Sequence, residues 1–295
     1  MILNIDPKVD YAFKHLFGRD STRSILIDLL DQVLSPGPGH HIQDVELLNP
    51  FNPKESLDDK LSILDIKARD QSGRQINVEM QMLLSSFFKS RIIYYLAKFH
   101  QQQLHEGEDY SVLKPTISIV FLNQVLFPEV ADYHLRFRLL EEQHHFPFAG
   151  DLELHTLELP KFRKTDAELT NGLDIWLYFL RHAEKIDPEA PPKALDRPLI
   201  LRAMEELKML TQTDIERERY EARRKAQLDY NSDIKAARME GQEEGLAKGQ
   251  KIGEIHLCER LLRRSETPAE QLQRLSLEEL TRLADDLQAQ VLSQR

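Results

Sequence analysis

Asp65, Lys67, Glu79 and Gln81 stand within SILDIKARDQSGRQINVEMQM (62–82), where polar and apolar residues alternate on both sides of a turn signal. Two carboxylates and an ammonium group on one surface suit a divalent metal ion and a phosphate. Mg²⁺ prefers octahedral oxygen coordination, taking one or two carboxylates and leaving its other positions to water and phosphate oxygens. Such an ion stabilises charge on a scissile phosphate and lowers the pKa of an attacking water. Asp65 and Glu79 are the candidate metal ligands, and Lys67 or Gln81 would orient the water or contact the phosphate. The plainer reading is an antiparallel sheet whose polar face meets solvent.

The elements that must position these side chains follow from the same alternation. Period two argues strands. Leu64, Ile66 and Ala68 share one face of the first, opposite Asp65 and Lys67. Ile76, Val78, Met80 and Met82 share a face of the second, opposite Gln75, Asn77, Glu79 and Gln81. Asp70-Gln71-Ser72-Gly73 supplies the turn. Setting Asp65 opposite Glu79 leaves residues 70–74 as the loop, a permitted hairpin length. It also sets Lys67 opposite Asn77 and Ile63 opposite Gln81. Like charges facing each other across a strand pair are destabilising, so the two carboxylates need a reason.

Around the hairpin, residues 8–34 read as helical, with Phe13, Leu16 and Phe17 at helical spacing and Gly18 as an interruption. SPGPGHH breaks the chain, and IQDVELLNPF predicts a first strand. SSFFKSRIIYYLAKFHQQQLHEG predicts a helix starting near Ser85 or Ser86 and ending before Gly107. KPTISIVFLN has the β-branched, apolar character of a buried strand. DYHLRFRLLE and LELHTLELPKF alternate more openly and predict edge strands. The order is α, β, β, β, α, β, with strands up to about Arg163. Beyond that point the chain reads as helical. TNGLDIWLYFLRHAEK carries a core stripe of Trp176, Phe179 and Leu180, and DPEAPPKALDRP is a hinge candidate before the charged stretch 199–264. The expected division is 1–165, a helical extension with its hinge over 166–198, and a helical region over 199–295.

With 295 residues, 41% of them hydrophobic, the chain can bury a sizeable core. Its one cysteine, Cys258, excludes an internal disulfide and fits a reducing compartment. MILNIDPKVDYAF does not read as a signal peptide, and ISIVFL is far short of the ~20 apolar residues of a membrane helix. A cytoplasmic protein without a membrane partner is expected. The formal net charge of −10 opposes non-specific nucleic-acid binding but leaves room for a local basic groove.

Further candidates lie on the helices. Asp10 and Lys14 are i,i+4 partners, a spacing that ordinarily means a surface ion pair worth a few tenths of a kcal/mol. Arg91 and Lys98 share one side of the helix after the hairpin, with Tyr94 or Tyr95 between them. They could hold DNA phosphates and pack a ring on sugar or base; on the plainer reading one tyrosine is core and Lys98 solvated. His40–His41 and His144–His145 lack metal-ligand spacing and read as loop residues.

DYAFKHLFG (10–18), LDIKARDQSGRQINVEMQ (64–81), RIIYYLAKFHQQQLHEGEDYSVLKPTISI (91–119) and MEGQEEGLAKGQKIGE (239–254) occur in that order. Together they resemble the recombination-promoting nuclease (Rpn) family, also described as PD-(D/E)xK-family transposases, over nearly the whole chain. The resemblance implies a restriction-endonuclease-like αβββαβ core followed by an all-α C-terminal arm, and a metal-dependent DNA endonuclease using Mg²⁺ (or Mn²⁺ or Ca²⁺). It implies an acid on the second strand, here Asp65, and a (D/E)xK motif on the third, here Glu79-Met80-Gln81. It further implies an acid from the first helix, for which Asp10 is the match. Gln81 stands where lysine is usual in the wider fold, although glutamine belongs to this family's EMQ motif. A neutral amide brings no positive charge, and Lys67 could supply it instead.

In the C-terminal third, Gly241, Gly245, Gly249 and Gly253 recur every four residues within a helical charge pattern. The stripe drifts ~40° per step, and each glycine costs about 1 kcal/mol relative to alanine. A close helix–helix contact would offset that cost, so a homodimer or an intramolecular helix pair through this region is expected, the homodimer first, against a marginal, frayed linker helix. Thr267-Pro268-Ala269-Glu270 and Ser276-Leu277-Glu278-Glu279 carry helix-start signatures. The leucines between 261 and 287 predict a small helical cluster, too acidic for a comfortable recognition helix. The sequence thus predicts a DNA endonuclease; the alternative is a non-catalytic nuclease-like module that binds DNA or protein through its helical arm.

Overall fold

The computed structural model describes residues 2–35, 40–48, 51–52, 62–63, 65–210 and 212–293. Leu64, most of the SPGPGHH break and the Asn49-Pro50 end of the first predicted strand lie outside these residues. The chain forms two compact units, 1–225 and 226–295.

The first unit is mixed α/β. Helices α1 (Asp10–Phe17) and α2 (Arg23–Leu34) precede β1 (Val45–Leu48), β2 (Phe51–Asn52), β3 (Ser62–Ile63), β4 (Ile66–Asp70) and β5 (Gln75–Gln81). Then come α3 (Phe88–Gln101), β6 (Thr116–Leu122), β7 (His134–Arg138), β8 (Leu152–Glu158), α4 (Gly172–His182) and α5 (Pro198–Met209). A six-stranded sheet runs in the order β1-β4-β5-β6-β8-β7. β1, β4 and β5 are antiparallel neighbours, whereas β5, β6 and β8 are parallel. Parallel neighbours need a long crossover, and α3 provides it between β5 and β6.

The hairpin has the register that its alternation predicts: Ile66 faces Val78, Lys67 faces Asn77 and Ala68 faces Ile76. The turn closes on Gly73 at φ 87°, a conformation that glycine adopts without strain. Ile63, expected opposite Gln81, instead pairs with Phe51 in a separate two-stranded sheet. One sheet face packs Ile66, Ala68, Ile76, Val78 and Met80 against α1, α2, α4 and α5. Phe13, Phe17, Trp176, Phe179 and Leu180 lie in that core, together with Ile200 and Leu207 from beyond the proline-rich stretch. The other face lies under α3, whose Phe88 and Ile92 pack with Val120 and Leu122 of β6.

Two expectations change. The polar side of the hairpin is not a solvated face: Lys67, Gln75, Asn77 and Glu79 are all buried, because α3 returns over it. β8 is not an edge strand either, since β7 lies outside it. The polar residues that make β8 read as an edge are paired with one another and with β7. Glu153 takes Arg136 and Arg138, and His155 bridges Glu153 to His134 at 2.5 and 2.8 Å.

The second unit is helical. It holds the later part of α6 (Asp214–Leu261), then α7 (Ala269–Leu272) and α8 (Leu277–Ser293). Ile255, Cys258, Leu272, Leu280, Ala284 and Leu287 form its core. The Ser276–Glu279 capping box forms as the sequence predicts. Thr267 is instead held by Glu259, through its amide at 3.0 Å and its hydroxyl at 2.5 Å. Among the described residues no helix is long and apolar enough to cross a membrane.

Candidate active site

The carboxylates meet where β4 begins and β5 ends. Asp65 lies one residue before β4, so extending the ladder one step sets it opposite Glu79. Its Oδ2 accepts the Met80 amide at 3.0 Å, which ties the two strands together at this point. α1 brings a third acid and a cation. Ala12, Phe13, Leu16 and Phe17 bury one side of that helix, and Asp10 and Lys14 lie on its polar side. Gly18 closes the helix: its amide donates to the Lys14 carbonyl oxygen, and a Cβ there would lie 2.9 Å from that oxygen. From that polar side Lys14 Nζ stands 2.7 Å from Asp10 and 3.4 Å from Asp65.

These acids have few hydrogen-bond donors. The Glu79 carboxylate is buried and accepts from Asn77 Nδ2 at 2.8 Å. Burial is the main reason its pKa is pushed up to about 7; Asn77 opposes the shift, and the Asp65 charge adds to it. Asp65 is also raised, first by burial, against the opposing Lys14 charge and the Met80 amide. Burial works against the Lys14 ammonium too, but Asp10 and Asp65 hold its pKa above the ordinary lysine value.

Gln81 and Arg91 form a second pair. Arg91 Nη2 donates to Gln81 Oε1 at 2.7 Å, and the guanidinium lies 5.5 Å from the Phe88 ring centroid. Two buried atoms flanking the acids have no hydrogen-bond partner among the described residues. Asn77 Oδ1 is an acceptor beside Glu79, and Arg91 Nε is a donor beside Gln81. An unmet acceptor favours a cation, and an unmet donor favours an anion.

The remaining sequence candidates occupy different surroundings. Lys67 is buried, its ammonium 4.6 Å from the Phe99 ring centroid, and burial pushes its pKa down. On α3, Tyr94 is exposed and Tyr95 and Lys98 are half-buried, with the two tyrosine rings 5.7 Å apart. Neither tyrosine belongs to the core. Beside Lys14 opens a cavity of about 620 Å³, lined also by Tyr11, Arg19, Gln212 and Glu216. Sequence reasoning missed the reach of Lys14 to Asp65, since i,i+4 spacing identifies only its Asp10 partner. It placed Asn77 on the face of Glu79 without the bond between them.

The donor set suits a hard cation: two carboxylates, with an unmet amide oxygen on the adjoining Asn77. Among the described residues, no three or more His, Cys, Asp or Glu side chains are gathered to hold a metal ion. Any metal here would rest on two carboxylates, with water and substrate completing its shell.

No curated protein and no solved structure matches the chain significantly. One family model does match, over residues 7–237, described as PD-(D/E)XK nuclease family transposase. That span takes in the hairpin, α1, α3 and almost all of the first unit, and on it the chain belongs to the PD-(D/E)XK nuclease transposase family.

Proposed function

We propose that this protein is a metal-dependent DNA endonuclease of the recombination-promoting, transposase-like type, working in the cytoplasm on a restriction-endonuclease-like αβββαβ core. The observation that carries this reading is the meeting of Asp65 and Glu79 at one end of the hairpin with too few donors for their charge. Asp65 and Glu79 would hold Mg²⁺ (or Mn²⁺ or Ca²⁺). Bound there, the ion would stabilise charge on the scissile phosphate and lower the pKa of the attacking water.

The chain's own groups do the rest. Asn77 orients Glu79 through its amide. Arg91 fixes Gln81 by its carbonyl oxygen, which turns the Gln81 NH₂ away from Arg91 as a donor to water or phosphate. Arg91, Tyr94, Tyr95 and Lys98 on α3 serve the DNA, the cations at phosphates and the exposed Tyr94 ring at sugar or base. A homodimer through the C-terminal helices would bring two active sites to one duplex.

Cleavage of supercoiled plasmid with Mg²⁺, Mn²⁺ or Ca²⁺ tests the reading. Metal-dependent nicking by the wild type should fall at least about a thousandfold in Asp65→Ala and Glu79→Ala. Equal background in all three proteins would replace it with the non-catalytic module, which Gln81 and the net charge of −10 favour.

A further inference from the structure

We infer that Lys14, reaching from α1, supplies at the scissile phosphate the positive charge that Gln81 cannot carry, with Asp10 as the residue that positions it. The inference rests on the nuclease reading and assigns a catalytic group within it.

Three side chains compete for the role. Gln81 is neutral, and its carbonyl oxygen is already taken by Arg91. Lys67 has the charge but is only 7% exposed, with its ammonium 4.6 Å from the Phe99 ring on the α3 side. Moving it to the acids would strip it from that contact. Lys14 is 38% exposed, 3.4 Å from Asp65 and 2.7 Å from Asp10. Its field also reaches Glu79, and it lines the cavity of about 620 Å³ beside α1. It thus touches the acids on one side and open volume on the other.

The i,i+4 bond to Asp10 gives the arrangement its logic. Asp10 is about half exposed, poorly placed to be a buried ligand but well placed as a tether. When the Asp65 oxygens turn to a metal ion, Asp10 keeps the ammonium beside them rather than letting it leave into solvent. In hydrolysis the water oxygen forms a new bond to phosphorus and the bond to the sugar oxygen breaks. The proton lost by water is balanced by one gained at the leaving oxygen. Lys14 stays charged throughout and donates to a non-bridging phosphate oxygen, where negative charge accumulates as attack proceeds.

The test separates chemistry from metal binding. Lys14→Met should lower plasmid cleavage at saturating Mn²⁺ by about a hundredfold, as loss of one charge-stabilising donor does. The same variant should bind Mn²⁺ several-fold tighter by calorimetry, because a cation competing for Asp65 has gone. Lys14→Arg should keep most of the activity. Lys14→Met combined with Gln81→Lys, which returns the charge to β5, should recover cleavage to within about tenfold of wild type. Asp10→Asn should give a smaller loss than Lys14→Met and should be silent in the Lys14→Met background. Damage to the fold would instead weaken Mn²⁺ binding and cleavage together, with no rescue from Gln81→Lys. That pattern, or Lys14→Met cleavage within threefold of wild type, overturns the inference. If the wild type binds Mn²⁺ but does not cut, the nuclease reading falls by itself. Lys14 is then judged by the affinity shift, and unchanged affinity overturns its place at the acids.

Discussion

The two ends of the hairpin hold one buried or half-buried aspartate each on the same strand region, and they treat it in opposite ways. At the turn, Asp70 is fully covered with donors. Its Oδ1 accepts the Ser72 amide and hydroxyl and the Arg74 amide at 2.7–2.9 Å, and its Oδ2 accepts Arg74 Nε at 2.6 Å. At the open end, Asp65 has one amide and a 3.4 Å contact with Lys14, and Glu79 has one side-chain amide. A carboxylate whose lone pairs are filled by its own loop is building a turn. A pair of carboxylates left short of donors, with Asn77 Oδ1 and Arg91 Nε beside them unpartnered among the described residues, is what the proposed metal site calls for. Donors per carboxylate, and not burial, distinguish the two ends, since both are withdrawn from water.

The sharpest way to break this contrast is to delete the turn carboxylate. Asp70→Ala should cost about 3 kcal/mol of stability, because it leaves two amides and a half-buried guanidinium without their acceptor. Cleavage per folded molecule should stay within about threefold of wild type. Denaturant melts beside plasmid assays would show it, and a thousandfold loss of turnover in fully folded Asp70→Ala would erase the distinction.

A smaller effect of opposite sign is expected at the open end. Glu79 has a folded pKa of about 7 against an ordinary value near 4.5. The folded state therefore holds this proton more tightly than the unfolded state does. The resulting stability is fully present below about pH 4.5 and is lost as pH rises through 7. Glu79→Gln keeps an acceptor for Asn77 and removes the ionisation. It should leave metal-free stability almost unchanged at pH 4.5 and raise it by about 2 kcal/mol at pH 8. Chemical denaturation at the two pH values measures this, and a variant less stable than wild type at pH 8 would show that Glu79 is structural, like Asp70.

The weakest of the expected effects lies in α6. Among the described residues, a Cβ added at Gly241, Gly245, Gly249 or Gly253 would meet nothing within 4 Å, so none of their contacts there requires glycine. Gly245→Ala with Gly249→Ala should stabilise the helix by about 1 kcal/mol per site and weaken self-association in sedimentation. Unchanged association would remove the stripe as an interface.

Much of the site is legible in the sequence because its hairpin is local. Period two, the DQSG turn and the cost of slipping apolar residues off the core suffice to set Lys67 opposite Asn77. The edge-strand reading of β8 fails for a related reason. Alternation reports that Glu153 and His155 are polar, but not that Arg136, Arg138 and His134 wait on the next strand to satisfy them. Local composition likewise marks the proline-rich stretch as a break, whereas Ile200 and Leu207 beyond it pack into the first unit's core.

By itself the sequence determined the register of residues 66–69 against 75–78, the acids that share the hairpin's polar face and the family resemblance. All of these depend on residues a few positions apart or on motifs read in order. Tertiary structure decided which cation meets those acids. Lys67 is two residues from Asp65 but is drawn under α3 to Phe99, while Lys14 is 51 positions away and arrives because the apolar side of α1 packs into the core that holds Ile66 of β4. A strand's period assigns a side chain to a face, but only the packing of helices on that face decides whether a charge is buried in a core or left at the edge where it can act.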